Sequence, residues 1–172
     1  RSLIRAAVQD AEKILIESKN NSTILMQAIP TFDLAFKFTQ NPRYLEAILN
    51  SVVDKKDFTL DEILALLSAI KNQKLSLQIM ETNSYISVLK SILTNLMQES
   101  KLEIGPIRAI KIFKALILLP KGINTDLILA KIKPVLTDAM NNKNTTRSDG
   151  RFLNPEESTQ FSLLLIDICW QF

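Results

Sequence analysis

Two pairs of neighbouring carboxylates are the side chains in this sequence that come closest to acid–base chemistry. They are Asp61-Glu62 and Glu156-Glu157, and a catalytic pair would need one carboxyl group to donate a proton while the other accepts one. Both pairs fall in the first turn of a predicted helix, where negative charge complements the positive end of the helix dipole. We therefore interpret them as helix-capping residues rather than as catalytic residues.

The chain contains few residues that could act as a nucleophile or bind a metal. The 172 residues include no histidine and one cysteine, Cys169, which excludes disulfides within the chain, zinc sites built on Cys/His clusters, and Ser-His or Cys-His pairs. The three glycines, Gly105, Gly122 and Gly150, lie too far apart to form a phosphate-binding or dinucleotide-binding loop. We predict that the chain is not an enzyme and that it uses no cofactor, metal or small-molecule substrate.

Basic residues offer a different chemistry, the binding of phosphate groups. The chain has 21 Lys and Arg against 18 Asp and Glu, a net charge of only +3. Pairs of lysines follow successive predicted helical pairs, and with Arg108 they could form one edge that tracks an RNA backbone. The ordinary expectation for such residues is that they are solvated side chains near helix ends. The residues predicted to bind RNA or a partner are Lys71, Lys74, Arg108, Lys111, Lys114, Lys131, Lys133, Arg147 and Arg151.

Three aromatic side chains could stack on RNA bases, namely Tyr44, Tyr85 and Trp170. All three stand on the apolar faces of predicted helices. We therefore interpret them as core residues rather than as a base-stacking surface.

The elements that position these residues are predicted to be helices, because apolar residues recur at steps of three and four. Local signals mark the boundaries: Thr59-Leu60-Asp61-Glu62 has the pattern of a capping box, while Pro30 and Pro134 should break or bend their helices. No apolar run approaches the roughly 18–20 residues of a membrane span. The predicted helices cover about 3–15, 24–38, 44–53, 60–70, 85–97, 106–119, 127–140 and 155–172.

The odd-numbered helices of this series recur in a fixed register. Leu3, Tyr44, Tyr85 and Asp126 follow one another at intervals of 41 residues, and a stacked helical pair of about forty residues is the unit of an α-solenoid. We predict an all-α, right-handed α-solenoid of about four helical hairpins. It would form a single domain over residues 1–172, with a polar loop insert at about 141–153. An irregular helical bundle, in which similar helix lengths recur by chance, is the alternative.

The segments 44–49 and 57–70 carry a resemblance to known repeats, and the segments 85–97 and 104–119 repeat the scheme. Over about residues 41–140 the pattern resembles the organellar helical-repeat families, which are the octotricopeptide proteins and the repeats preceding the RAP domain in FAST-kinase-like proteins. The resemblance implies binding of mitochondrial or plastid RNA, or a place in an organellar ribosome or other complex.

We therefore expect a scaffold or binding subunit of a larger assembly, a mitochondrial ribonucleoprotein such as the ribosome, with protein subunits and also RNA as partners. Two alternatives stay open. One is a repeat protein that binds single-stranded RNA directly, and the other is an armadillo- or HEAT-like domain that binds a protein.

Overall fold

The computed structural model describes residues 2–74, 77–141 and 155–171, and every regular element within them is a helix. The all-α prediction is thus confirmed. The helices are α1 (Ser2–Glu17), α2 (Ser22–Gln27), α3 (Ile29–Thr39), α4 (Arg43–Ser51), α5 (Leu60–Asn72), α6 (Leu77–Met80), α7 (Asn83–Lys101), α8 (Pro106–Leu118), α9 (Asp126–Asn141) and α10 (Pro155–Gln171).

The start of α5 is fixed by the predicted capping box. The Glu62 backbone N–H donates to Thr59 Oγ1 at 3.1 Å, and the Thr59 backbone N–H donates to Glu62 Oε1 at 3.0 Å. Burial alone would raise the pKa of Glu62, but the Thr59 N–H and the Lys55 ammonium, 3.2 Å from Glu62 Oε2, lower it below its ordinary value. The carboxylate of Glu62 is therefore a capping group, as predicted for this acidic pair.

Prolines shape two further helices. The predicted break near Pro30 is confirmed, because α2 ends at Gln27 and Pro30 stands in the first turn of α3, where its missing N–H costs nothing. Pro134 lies inside α9. The short helix α6 was not predicted, because no apolar periodicity marks it in the sequence. The predicted polar insert falls outside the described residues from position 142 onward.

The chain divides into two compact units, residues 1–95 and residues 96–172. In the first unit α1 packs along α3, α2 packs against α4, and α3 packs against α5. The rings of Phe32 and Tyr44 stack inside this unit with their centroids 5.4 Å apart. Its fully buried side chains also include Leu25, Ile48, Ile63, Leu66 and Leu67.

In the second unit α8 packs against both α9 and α10. Ile110, Ala139 and Phe161, one residue from each of these helices, form the buried centre. Partly buried apolar side chains surround them, namely Ile107, Phe113, Ile117, Leu136, Leu164 and Leu165.

The apolar periodicity of the first helix predicts that Leu3 and Ile4 are buried together with Ala7 and Ala11. This prediction is wrong for the first turn of α1. Leu3 is 82% exposed and Ile4 is 36% exposed, whereas Ala7 and Ala11 are buried. Apolar periodicity identifies the side of a helix but not how much of its length a neighbour covers. Phe38 at the end of α3 is exposed in the same way.

Candidate functional site

The first part of the predicted lysine edge lies at the end of α5. Lys71 is in the last turn of this helix, Lys74 follows it with a left-handed φ of 42°, and both side chains are exposed. Cations at this end of a helix also complement the negative end of its dipole. Their placement therefore fits a solvated helix terminus as well as a phosphate contact.

The basic residues of α8 are largely engaged with acidic side chains of the second unit. Arg108 forms an ion pair with Glu99. Lys114 forms an ion pair with Asp167 of α10, and only 16% of the Lys114 side chain is exposed. Each carboxylate offsets part of the charge that its cation could offer to a phosphate group, although about half of the Arg108 side chain stays exposed. Lys111 lies between them in sequence and is half-buried.

The two predicted residues of α9 do not share a face. Lys131 and Lys133 are both exposed, but residues two apart on a helix point to different sides. Lys133 lines an apolar groove described below. The remaining two, Arg147 and Arg151, lie outside the described residues. A continuous basic edge therefore stays a prediction.

The tyrosines predicted to be core residues are buried. Tyr44 has no exposed surface and Tyr85 is 6% exposed. Burial raises the pKa of both phenols, and for Tyr44 the hydrogen bond to Glu12 raises it further. Neither ring is placed to stack on a base from solution. The side chain of Trp170 lies outside the described residues.

Hydrogen bonds between side chains connect helices that are distant in sequence, and sequence reasoning missed them. Tyr44 Oη of α4 donates to Glu12 Oε1 of α1 at 3.0 Å, across 32 residues. Ser84 Oγ of α7 donates to Asn50 Oδ1 of α4 at 2.8 Å, across 34 residues. Each bond joins two helices that are predicted to be the first helices of consecutive hairpins.

A similar bond joins α5 to α3. Gln73 Nε2, just after α5, donates to Asp33 Oδ1 of α3 at 2.9 Å, across 40 residues. Asn72 Nδ2 donates to the other carboxylate oxygen of Asp33 at 3.0 Å. The Asp33 carboxylate thus accepts two amide donors from the end of a helix that follows it by about one repeat.

Asn95 makes a further buried polar contact. It is 7% exposed and lies one turn from the buried Ile92 on the apolar face of α7. Its Oδ1 accepts from the Phe58 backbone N–H at 3.2 Å, and its Nδ2 donates to the carbonyls of Lys56 and Ser91, each at 2.7 Å. Asn95 therefore fixes the segment that connects α4 and α5. A lone Asn within an apolar stripe is the sequence signal that could have revealed it.

Among the described residues, each unit has a concave site. A cavity of about 210 Å³ in the first unit is lined by hydroxyl, amide and apolar groups, and by the Lys55–Glu62 ion pair. In the second unit, the space between α8, α9 and α10 forms a groove of about 280 Å³, here called the α9 groove. Its lining residues are Ile110, Phe113, Leu129, Lys133, Leu136, Thr137, Met140, Phe161 and Leu165.

In the described ranges, no three His, Cys, Asp or Glu side chains are grouped closely enough to hold a metal ion. Searched over the same ranges, no helix has the length and apolar character needed to cross a membrane. Comparison of the chain with protein-family models, with curated proteins and with solved structures found no match.

Proposed function

We propose that the chain is a non-catalytic α-solenoid of about four helical hairpins, and that it serves as a scaffold or binding subunit of a larger assembly. The assembly we propose is a mitochondrial ribonucleoprotein such as the ribosome, in keeping with the resemblance to organellar helical repeats. Its partners would be the protein subunits of that assembly, together with RNA.

The observation that carries the proposal is the row of polar bonds between helices one repeat apart. In the first unit, α4 bonds to α1 through Tyr44 and Glu12, and α7 bonds to α4 through Ser84 and Asn50. In a solenoid each hairpin covers the apolar face of the one before it, so equivalent helices lie side by side in chain order. A closed bundle has no such requirement.

Two further packing relations support the same arrangement. Within the first unit, α5 follows α3 by about one repeat and packs against it. Within the second unit, α10 follows α8 in the same way and packs against it. Both are pairs of second helices of consecutive predicted hairpins.

The charges favour a scaffold over a direct RNA binder. The net charge is +3, and two of the predicted basic contacts, Arg108 and Lys114, already pair with carboxylates. Affinity for RNA comes chiefly from cations that neutralise phosphates. Partial neutralisation of these cations within the chain therefore supports contacts with protein neighbours over direct RNA binding as the basis of the proposed role.

Sedimentation of the tagged protein from its own cells tests the proposal. Mitochondria are isolated, lysed and separated on a sucrose gradient, with and without ribonuclease treatment. We expect the protein in fractions far heavier than the free 19.5 kDa chain, shifting to lighter fractions after ribonuclease. Sedimentation as a free chain would refute the proposal, and a heavy, ribonuclease-resistant complex would favour the armadillo- or HEAT-like alternative.

A filter-binding titration separates the scaffold from the direct RNA binder. The purified chain is titrated against single-stranded mitochondrial transcripts at about 50 mM and about 200 mM salt, conditions between which phosphate contacts weaken steeply. We expect no saturable binding at micromolar protein at either concentration. Micromolar binding that weakens with salt would instead establish the RNA-binding alternative.

A further inference from the structure

The α9 groove combines an apolar interior with a polar edge on its α9 side. Seven of its nine lining side chains are apolar, and the remaining two are Lys133 and Thr137. Ile110 and Phe161, at 1% and 2% exposure, belong to the buried centre of the unit, while Leu129 and Phe113 are half-buried. The groove is thus an apolar slot that opens from the core of the second unit.

Lys133 and Thr137 form a polar edge on the α9 side, because they stand four residues apart, one turn along the same face of the helix, with Leu129 before them and Met140 after them. An exposed lysine beside apolar surface lays its methylene groups along that surface and keeps its ammonium in water. In the described part of the chain no carboxylate pairs with Lys133, and none of the nine lining residues is acidic. The groove therefore presents one uncompensated positive charge and a neighbouring hydroxyl donor.

We propose that the α9 groove binds a short-chain alkyl monocarboxylate. Its alkyl chain lies between α8, α9 and α10, and its two carboxylate oxygens accept hydrogen bonds from the Lys133 ammonium and the Thr137 hydroxyl. Charge complementarity selects an anion over a neutral or cationic amphiphile. This ligand site is separate from the proposed scaffold function and would stand if that function were disproved.

The size of the groove limits the alkyl chain. Its volume of about 280 Å³ lies at the lower edge of the roughly 300–1,000 Å³ that is typical of small-molecule sites. The groove is open to solvent, so a ligand's alkyl chain would displace water that has few hydrogen-bond partners along the apolar lining. The lining fits a chain such as that of octanoate better than a long-chain lipid.

NMR titration of the full-length chain with octanoate and with 1-octanol tests the proposal. We expect octanoate to bind saturably and to shift the amide resonances of Leu129, Leu136 and Phe161. The neutral alcohol should bind up to about fivefold more weakly, which corresponds to the roughly 1 kcal/mol upper end for one partly exposed ion pair. Shifts that map outside the α9 groove, or equal affinities for the two probes, would overturn the proposal.

Two matched lysine variants isolate the charge. Lys133→Met keeps the apolar stem, and should weaken octanoate to the affinity of 1-octanol while leaving the alcohol unchanged. Lys131→Met removes an exposed charge two residues away that does not line the groove, and should leave both affinities unchanged. An equal loss in the two variants would mean nonspecific attraction to positive charge and would refute the site.

A third variant closes the groove sterically. Leu129→Trp adds bulk to a half-buried lining position and should abolish binding of both probes, with folding verified by far-UV circular dichroism and by unchanged amide resonances outside the second unit. Undiminished octanoate binding by this folded variant would overturn the proposal. Failure of the wild-type chain to bind octanoate would also overturn the proposal. The groove would then be better explained as a site for apolar side chains of a protein partner.

Discussion

Replacing Asn95 with alanine should destabilise the first unit by removing the partner of two backbone groups. The Asn95 side chain is the partner of two backbone groups outside its own helix, the Phe58 N–H and the Lys56 carbonyl. Phe58 is only 4% exposed, so its N–H has little access to water once Oδ1 is removed. The alanine methyl group can neither accept nor donate a hydrogen bond.

The magnitude follows from the number of groups left without partners. A buried donor or acceptor that loses its partner costs about 1–3 kcal/mol, whereas a hydrogen bond exchanged with water costs about 0.5–1.5 kcal/mol. The Phe58 N–H belongs to the first class. The Lys56 carbonyl belongs to the second, because Lys56 is exposed. We expect Asn95→Ala to lower the free energy of unfolding by about 2–4 kcal/mol.

Urea unfolding followed by far-UV circular dichroism measures this loss, and hydrogen exchange locates it. Exchange at the Phe58 amide should quicken markedly in Asn95→Ala, because its only acceptor is the side-chain oxygen. Thr94→Ala is the matched control, since Thr94 is exposed and bonds only within its own helix; its effect should stay within about 0.5 kcal/mol. A loss below about 0.5 kcal/mol in Asn95→Ala, or unchanged exchange at Phe58, would refute the reasoning.

Three further predictions concern the same unit, each measured by urea unfolding. Leu67→Ala should cost about 2–5 kcal/mol because Leu67 is fully buried, while Leu3→Ala, at an 82% exposed position, should cost under about 0.5 kcal/mol; similar losses would contradict the burial pattern. The lowered pKa of Glu62 stabilises the fold above its unfolded pKa of about 4.3, and this contribution is lost as pH falls through the folded pKa. Glu62→Gln should therefore flatten the stability curve below about pH 4.5, and an unchanged slope would contradict the shift. Tyr44→Phe removes the hydrogen bond to Glu12 and should cost about 0.5–1.5 kcal/mol, and a stabilised variant would contradict a favourable bond.

The helices were predictable because their boundaries depend on neighbours in sequence. Thr59 and Glu62 are three residues apart and satisfy each other's backbone groups wherever the rest of the chain lies. Pro30 acts on its own turn for the same reason. Signals of this kind need no knowledge of tertiary packing, and they were correct for α3 and α5.

The polar bonds between helices were not predictable in the same way, because each depends on two residues more than thirty positions apart. The sequence marks Asn95 as unusual on an apolar face, but not that its partner is the backbone of Phe58, 37 residues earlier. Likewise, nothing near Asp33 in the sequence indicates that its carboxylate accepts a hydrogen bond from Gln73 at the end of α5. The sequence also does not show how much of an apolar helix face a neighbouring helix covers, because that too depends on distant residues. The exposed first turn of α1 is an example.

These bonds have a structural consequence that apolar burial alone does not supply. Hydrophobic contact is non-directional, so apolar side chains on two helix faces can repack in more than one register, although each register must fill the space between the helices. A buried amide that bonds to one backbone N–H and one carbonyl is satisfied in one register only. Asn95 therefore selects the register between α7 and the segment before α5, in the way that a buried polar residue can specify pairing in other helical assemblies.

The spacing of the basic residues in the sequence does not determine whether each of them is paired with a carboxylate. Arg108, Lys114 and Lys133 were predicted together from their regular recurrence, yet their surroundings give them different properties. The first two face carboxylates of the same unit and are neutralised there. Lys133 stands beside apolar side chains and keeps its charge uncompensated within the described residues. A cation next to apolar surface favours an amphipathic anion over a bare phosphate, because only the amphipathic ligand also removes that apolar surface from water.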